Sequence, residues 1–201
     1  MNNWFLYCTA VTLVVFSPGP MTLFALTNAM SFGKRVAVRG ILGGSLAYSG
    51  HLLLAYLIMH NTVDLDPASL KFVRILGGAY FIWLAYRQFM KKSFVDNQTR
   101  VVNKEAAGPV ELRGFLIAAT NPKAIIFFAA LFPQFIDTSG DYANQFIVLG
   151  VTYLVIQFIS NFSYSWFGER LMSKIRTTRA NQIIPKCIAF LLAGIGLLMM
   201  L

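Results

Sequence analysis

The chain has 201 residues, 57% of them hydrophobic and 12% charged, with a formal net charge of +9. An ordinary soluble domain is roughly 25% charged, and one core of this size cannot hide eighteen Phe, eight Met and a mean hydropathy of +0.61. The composition therefore excludes a water-soluble fold, and the basic excess does not mark a nucleic-acid binder, because Lys and Arg fall between apolar runs rather than on one face.

Apolar runs of about 20 residues, the length that crosses hydrocarbon, predict an all-α, polytopic membrane protein of six spans. The first runs from Trp4 to Met30. No Lys or Arg precedes it and no small-residue cleavage site follows, so it is expected to stay as a span and not to be cleaved as a signal. Ser17, Pro18, Gly19 and Pro20 interrupt it. The second span runs from Val36 to His60 and carries His51; the third runs from Leu70 to Phe89. A polar connection follows, Lys91 to Leu112, with Asp96, Asn97, Gln98, Gly108 and Pro109. The fourth span, Arg113 to Ile136, is interrupted by Asn121, Pro122 and Lys123. The fifth, Phe146 to Gly168, carries Gln157 and Asn161, and the sixth, Ile183 to Leu201, is expected to hold Pro185 in its first turn. One transmembrane domain, residues 1–201, is thus expected to divide into a three-span half (1–90), a cytoplasmic loop (91–112) and a second three-span half (113–201).

Basic residues set the orientation. The first, third and fifth loops carry fourteen Lys and Arg and the opposite side carries only Lys71 and Arg74, while the acidic residues divide evenly. Cytoplasmic loops are the basic ones, so both termini are expected on the outer, periplasmic side of a bacterial inner membrane. Three is an odd number of spans, so a repeated half must enter from the opposite face. The expected arrangement is a 3+3 inverted repeat, as in many secondary transporters.

The two interruptions carry the functional expectation. Proline removes a backbone donor and clashes with the preceding turn, so the first and fourth spans should each break into two half-helices. Ser17-Pro18 and Asn121-Pro122 both resemble an N-cap followed by proline at the first helical position. From the helical rise, Asn121 lies roughly 13 Å from the cytoplasmic end of its span and Ser17 roughly 20 Å from the outer end of its own. Both breaks fall near the midplane, where a restarted helix offers unpaired N–H groups and a partial positive charge to an anion such as a carboxylate. A single proline is usually only a kink repaired by neighbours; two breaks at matched depth point to a binding site. Lys123 adds an ammonium that must face protein, water or ligand unless it snorkels to the cytoplasmic surface.

Other intramembrane polar residues allow two readings. His51 is either a proton acceptor or a hydrogen-bonding link between helices. Gln157 and Asn161, at i and i+4, share a face that meets substrate or joins helices. Gly40/Gly44, Gly43/Ala47 and Ala189/Ala193 have the four-residue spacing of close-packing seams. Cys8 and Cys187 lie in apolar runs and suggest no disulfide, and the two histidines form no metal-ligand pattern, so neither metal nor cofactor is expected.

Ser17-Pro18-Gly19-Pro20, Gly77-Gly78-Ala79-Tyr80 through Trp83-Leu84-Ala85-Tyr86-Arg87, Asn121-Pro122-Lys123-Ala124 and Phe132-Pro133-Gln134-Phe135 together resemble the LysE/RhtB family of small bacterial amino-acid exporters. The likeness runs through essentially the whole chain. It implies efflux from cytoplasm to periplasm driven by the proton gradient, with Ser17, Pro18, Gly19, Pro20, Asn121, Pro122 and Lys123 as the functional residues. Many relatives carry an Asp in the second or fifth span, where this chain has Tyr48 and Gln157. The expected substrate is accordingly a neutral amino acid of the homoserine, threonine or branched-chain type. Gln157 and Asn161 would assist binding, and His51 is the candidate for proton coupling. The expected partners are the lipid bilayer, the small substrate and a second copy in a homo-oligomer. An enzyme is not expected, since no nucleophile–base pair or metal set is present. A passive pore or a membrane assembly protein is the alternative.

Overall fold

The computed structural model describes residues 4–61, 67–93, 108–136, 141–176 and 179–200. Residues 94–107 of the central connection and the loops holding Asp64, Asp66 and Asp137 lie outside the described residues, as does Leu201.

All regular structure among the described residues is helical. The order is α1 (Trp4–Phe16), α2 (Pro20–Phe32), α3 (Lys34–Asn61), α4 (Pro67–Phe89), α5 (Val110–Ala119), α6 (Pro122–Ile126), a π-helical turn (Phe127–Leu131), a 3-10 turn (Phe132–Phe135), α7 (Tyr142–Arg176) and α8 (Ala180–Met200). In hydrocarbon every backbone group needs an internal partner, which selects helices. Large apolar side chains such as Phe5, Leu46, Phe72 and Phe190 point outward, as a lipid-facing surface requires.

The helices Lys34–Met59, Tyr142–Gly168 and Ala180–Leu197 are each long and apolar enough to cross a membrane. Counting each bent pair as one span raises the number to five. The bend is 55° between α1 and α2, and 49° between α5 and Pro122–Phe135, so both expected interruptions are present. α4, with Lys71, Arg74 and Arg87 among its 23 residues, is not among these spans. The chain is a polytopic α-helical membrane protein.

Two expectations about helix ends need correction. The cap of α2 is Gly19, not Ser17, and Pro20 is the first helical residue. A residue preceding proline is pushed out of the α region, and Gly19 is accordingly extended (φ −139°, ψ −177°), so no helix can start before Pro20. Pro185 lies inside α8, not in its first turn. The polar stretch from Arg179 closes an extra turn ahead of it, with Gln182 and Ile183 N–H both donating to the Arg179 carbonyl.

Packing follows small residues. α3 runs against α5 so closely that a Cβ on Gly43 would stand 2.0 Å from the Glu111 carbonyl oxygen, and one on Gly114 would stand 2.0 Å from that of Gly40. Arg39 and Glu111 pair at the exposed end of this seam. α4 meets α8 through Gly78 and Gly196, where a Cβ on Gly78 would approach the Gly196 carbonyl oxygen to 2.6 Å. Gly40 and Gly43, from two of the expected pairs, thus form the α3–α5 seam, and the α4–α8 seam uses a glycine pair that four-residue spacing within either helix does not mark. α2 packs on α7 and α3, α1 on α7 and α8, and α4 also touches the π-helical turn. The two breaks are thereby held face to face at the centre.

Candidate functional site

Pro18 and Pro20 strip the end of α1 of donors. In a continuous helix the carbonyls of Val14, Val15, Phe16 and Ser17 would accept from residues 18 to 21, two of which are prolines without an N–H. Side chains from the second half supply donors instead. Lys123 Nζ donates to the carbonyls of Val14 (2.9 Å) and Ser17 (2.7 Å). Tyr164 Oη donates to that of Phe16 (2.9 Å), and Ser160 Oγ lies 3.4 Å from that of Val15. Lys123 is thus a partly buried ammonium tied across the two breaks; it does not snorkel.

The second break is closed differently. Asn121 caps α6 as expected, its Oδ1 accepting from Lys123 N–H at 3.1 Å. With that N–H taken, the Ala119 carbonyl accepts instead from His51 Nε2 on α3, at 3.2 Å. A carbonyl only accepts, so Nε2 carries the proton. The buried Nδ1 has no hydrogen-bond partner. Each break is therefore mended by side chains from the other half.

Between the breaks lies a cavity of about 20 Å³, room for about one water molecule. Val14, Val15, Gly19, Met21 and Thr22 line it from the first break, and Asn121, Lys123 and Ala124 from the second. Tyr48 on α3 and Tyr153, Gln157 and Asn161 on α7 complete the wall. Gln157 Nε2 donates to Ser45 Oγ (2.6 Å), and Asn161 Nδ2 donates to Gln157 O (3.0 Å) and Oε1 (2.9 Å). Among the described residues no group of His, Cys, Asp and Glu has the makings of a metal site.

Of the residues singled out from sequence, Gly19, Asn121, Lys123, Gln157 and Asn161 meet on the cavity wall. Ser17 contributes its carbonyl, while Pro18, Pro20 and Pro122 shape the breaks. His51 stands outside the lining, beside Tyr48 and Phe128. Sequence reasoning missed Thr22, Tyr153, Ser160 and Tyr164 as contributors. The last two were open to it, because Gln157, Ser160, Asn161 and Tyr164 follow the three-and-four spacing of one helix face.

Two broken spans crossing around a partly buried ammonium and a small cavity lined by Asn121, Gln157 and Asn161 have the layout of a membrane transport protein. The model of the LysE type translocator matches residues 12–201, and the chain belongs to that family. It is 28% identical over 196 residues to the homoserine/homoserine lactone efflux protein of Salmonella typhimurium, covering 98% of this chain and 95% of that one. It is also 30% identical over 168 residues to the leucine efflux protein of Salmonella choleraesuis, covering 78% and 74%. An uncharacterized membrane protein of Vibrio cholerae is 28% identical over 200 residues, 99% of this chain and 97% of that one. No solved structure matches.

Proposed function

We propose that the protein is a secondary transporter that exports neutral amino acids or their derivatives, of the homoserine, threonine or branched-chain type, from cytoplasm to periplasm. The observation that carries this reading is the partly buried Lys123 ammonium at the mouth of α2, in a cavity with no carboxylate among its lining residues. The ammonium and the helix N-terminus attract a substrate carboxylate, and a second fixed positive charge on the substrate would find no counter-ion there. The relatives named for homoserine and leucine efflux support the same substrate class.

The cavity fits a water, whereas ordinary small-ligand pockets run to roughly 300 Å³ or more, so transport requires the halves to part. A 3+3 inverted repeat with α4 as its third span is compatible with the element order, since each half has a bent pair, a long helix and a further helix, and with the packing of α4 on its counterpart α8. Rocking one half against the other would expose the site alternately to each side. His51, with its unpartnered Nδ1 beside the second break, is the candidate for proton coupling. The basic loops support an inner-membrane orientation with both termini outside, and a homo-oligomer is compatible with the apolar outer surface. The rival passive pore is less compatible with a cavity that has room for about one water.

The test loads cells with dipeptides of neutral amino acids and follows release of the free amino acid with and without the protein. Faster release that continues against an outward-to-inward gradient is expected. Release that stops at equal concentrations would indicate a pore, and unchanged release would remove the exporter reading.

A further inference from the structure

We propose that the cavity takes an α-amino acid in one fixed orientation, its carboxylate on the N-terminus of α2 beside Lys123 and its ammonium on Oδ1 of Asn161. This assignment rests on the transport reading above and names the subsites within it.

The two breaks are not equivalent. α6 is five residues long and its first turn is already closed by Asn121. α2 has 13 residues, and its cap, Gly19, offers no side chain. Pro20 has no N–H, and the Leu23 N–H returns to the Gly19 carbonyl at 2.9 Å. The N–H groups of Met21 and Thr22, in the first turn, have no intrahelical acceptor. Gly19, Met21 and Thr22 all line the cavity. Lys123 Nζ stands 3.2 Å from the point where a Cβ on Gly19 would be, so the ammonium lies at the mouth of this helix. Two of its three N–H donors hold Val14 and Ser17, and the third is left for a ligand. Uncapped backbone donors, helix dipole and ammonium converge on one anion position.

Asn161, on α7, is the opposite pole. The side chain is buried, 3% exposed, and lines the same cavity. Its Nδ2 faces two acceptors, Gln157 O and Oε1, which fix the amide: turned over, it would set an oxygen against two oxygens. Oδ1 is consequently held on the other side, buried and without a donor. Buried acceptors are seldom left unpaired, and the exceptions call for a partner. The α-ammonium of an amino acid is a donor of the right charge and size. A water held in the cavity would satisfy the same atom, and the test separates the two.

The full-length protein, reconstituted in liposomes, is assayed with a panel of neutral L-amino acids, each paired with its 2-hydroxy acid, which keeps the carboxylate and lacks the ammonium. The wild type is expected to prefer each transported amino acid over its hydroxy analogue. Asn161→Ala should weaken the apparent affinity for the amino acid about tenfold or more, as loss of a charge-assisted hydrogen bond does, and leave the hydroxy acid nearly unaffected, so the preference collapses. Ser45→Ala, which breaks the adjoining bond to Gln157 without touching Oδ1, should keep the preference. An Asn161→Ala protein that loses amino acid and hydroxy acid in equal proportion, as removal of a structural water site would produce, overturns the assignment while leaving the transport reading intact. Transport of neither compound by the wild type overturns both.

Discussion

Lys123 has two tasks, and substitutions separate them. Its ammonium mends the carbonyls of Val14 and Ser17, and it faces the cavity. Lys123→Met should leave two buried acceptors unpaired, at about 1–3 kcal/mol each, so thermal unfolding in detergent is expected at a lower temperature and export should vanish. Lys123→Arg keeps the charge and several donors, but its rigid planar fork does not replace a compact ammonium. Arginine should therefore restore stability more fully than export, and equal recovery of both would mean that the charge alone suffices. Gly19→Ala is a gentler probe, since its Cβ would press on Nζ from 3.2 Å without touching the backbone of a neighbouring helix. A several-fold loss of export with little change in unfolding temperature is expected from parallel efflux and melting measurements. At this scale the sequence exposed Asn121, Lys123, Gln157 and Asn161 because polar groups in an apolar run are conspicuous. The uncapped first turn of α2 and the unpaired Oδ1 of Asn161 depend on which partners the fold brings, and no residue type announces that.

The helices are joined by glycine seams whose cost and benefit are testable. Replacing glycine by alanine inside a helix normally gains roughly 0.5–1 kcal/mol. Gly50 meets nothing within 4 Å of a built Cβ, and Gly50→Ala should show that gain. Gly43→Ala would drive a methyl into the Glu111 backbone and part α3 from α5, so it should destabilise by about 1–3 kcal/mol as an overpacked contact. Melting curves of the two variants should move in opposite directions, and a common direction would discredit the seam. The elements themselves were largely legible, since apolar run length gives helices and proline gives breaks. What escaped was the stretch after Pro122, where a π-helical turn and a 3-10 turn follow each other. They stack Phe127 on Tyr153 at 4.9 Å and bring Phe132 to 4.8 Å from Phe146. Apolar periodicity cannot tell these turns from α-helix, because tertiary packing of the rings selects them. The same limit hid the start of α8, where helix-compatible polar residues precede the apolar run.

For the whole molecule the orientation follows from charge. Single cysteines introduced near residues 66 and 141 should react with a membrane-impermeant reagent on intact cells, and those near 98 and 177 only after lysis. The reverse pattern would overturn the basic-loop assignment, and labelling of 98 and 141 from the same side would overturn the span count. Composition alone carried the membrane reading, whereas the status of α4 as a sixth span turns on three basic residues that hydropathy penalises. The reciprocal mending of the breaks has a consequence for biogenesis. When the ribosome has completed only the first 100 residues or so, the carbonyls of Val14, Phe16 and Ser17 await Lys123 and Tyr164, which do not yet exist. The nascent half must wait in the membrane with its polar backbone bared, and it matures only when its sister half arrives. A chain cut short after α4 would keep that bared backbone, giving cellular quality control a mark by which to recognise it as unfinished.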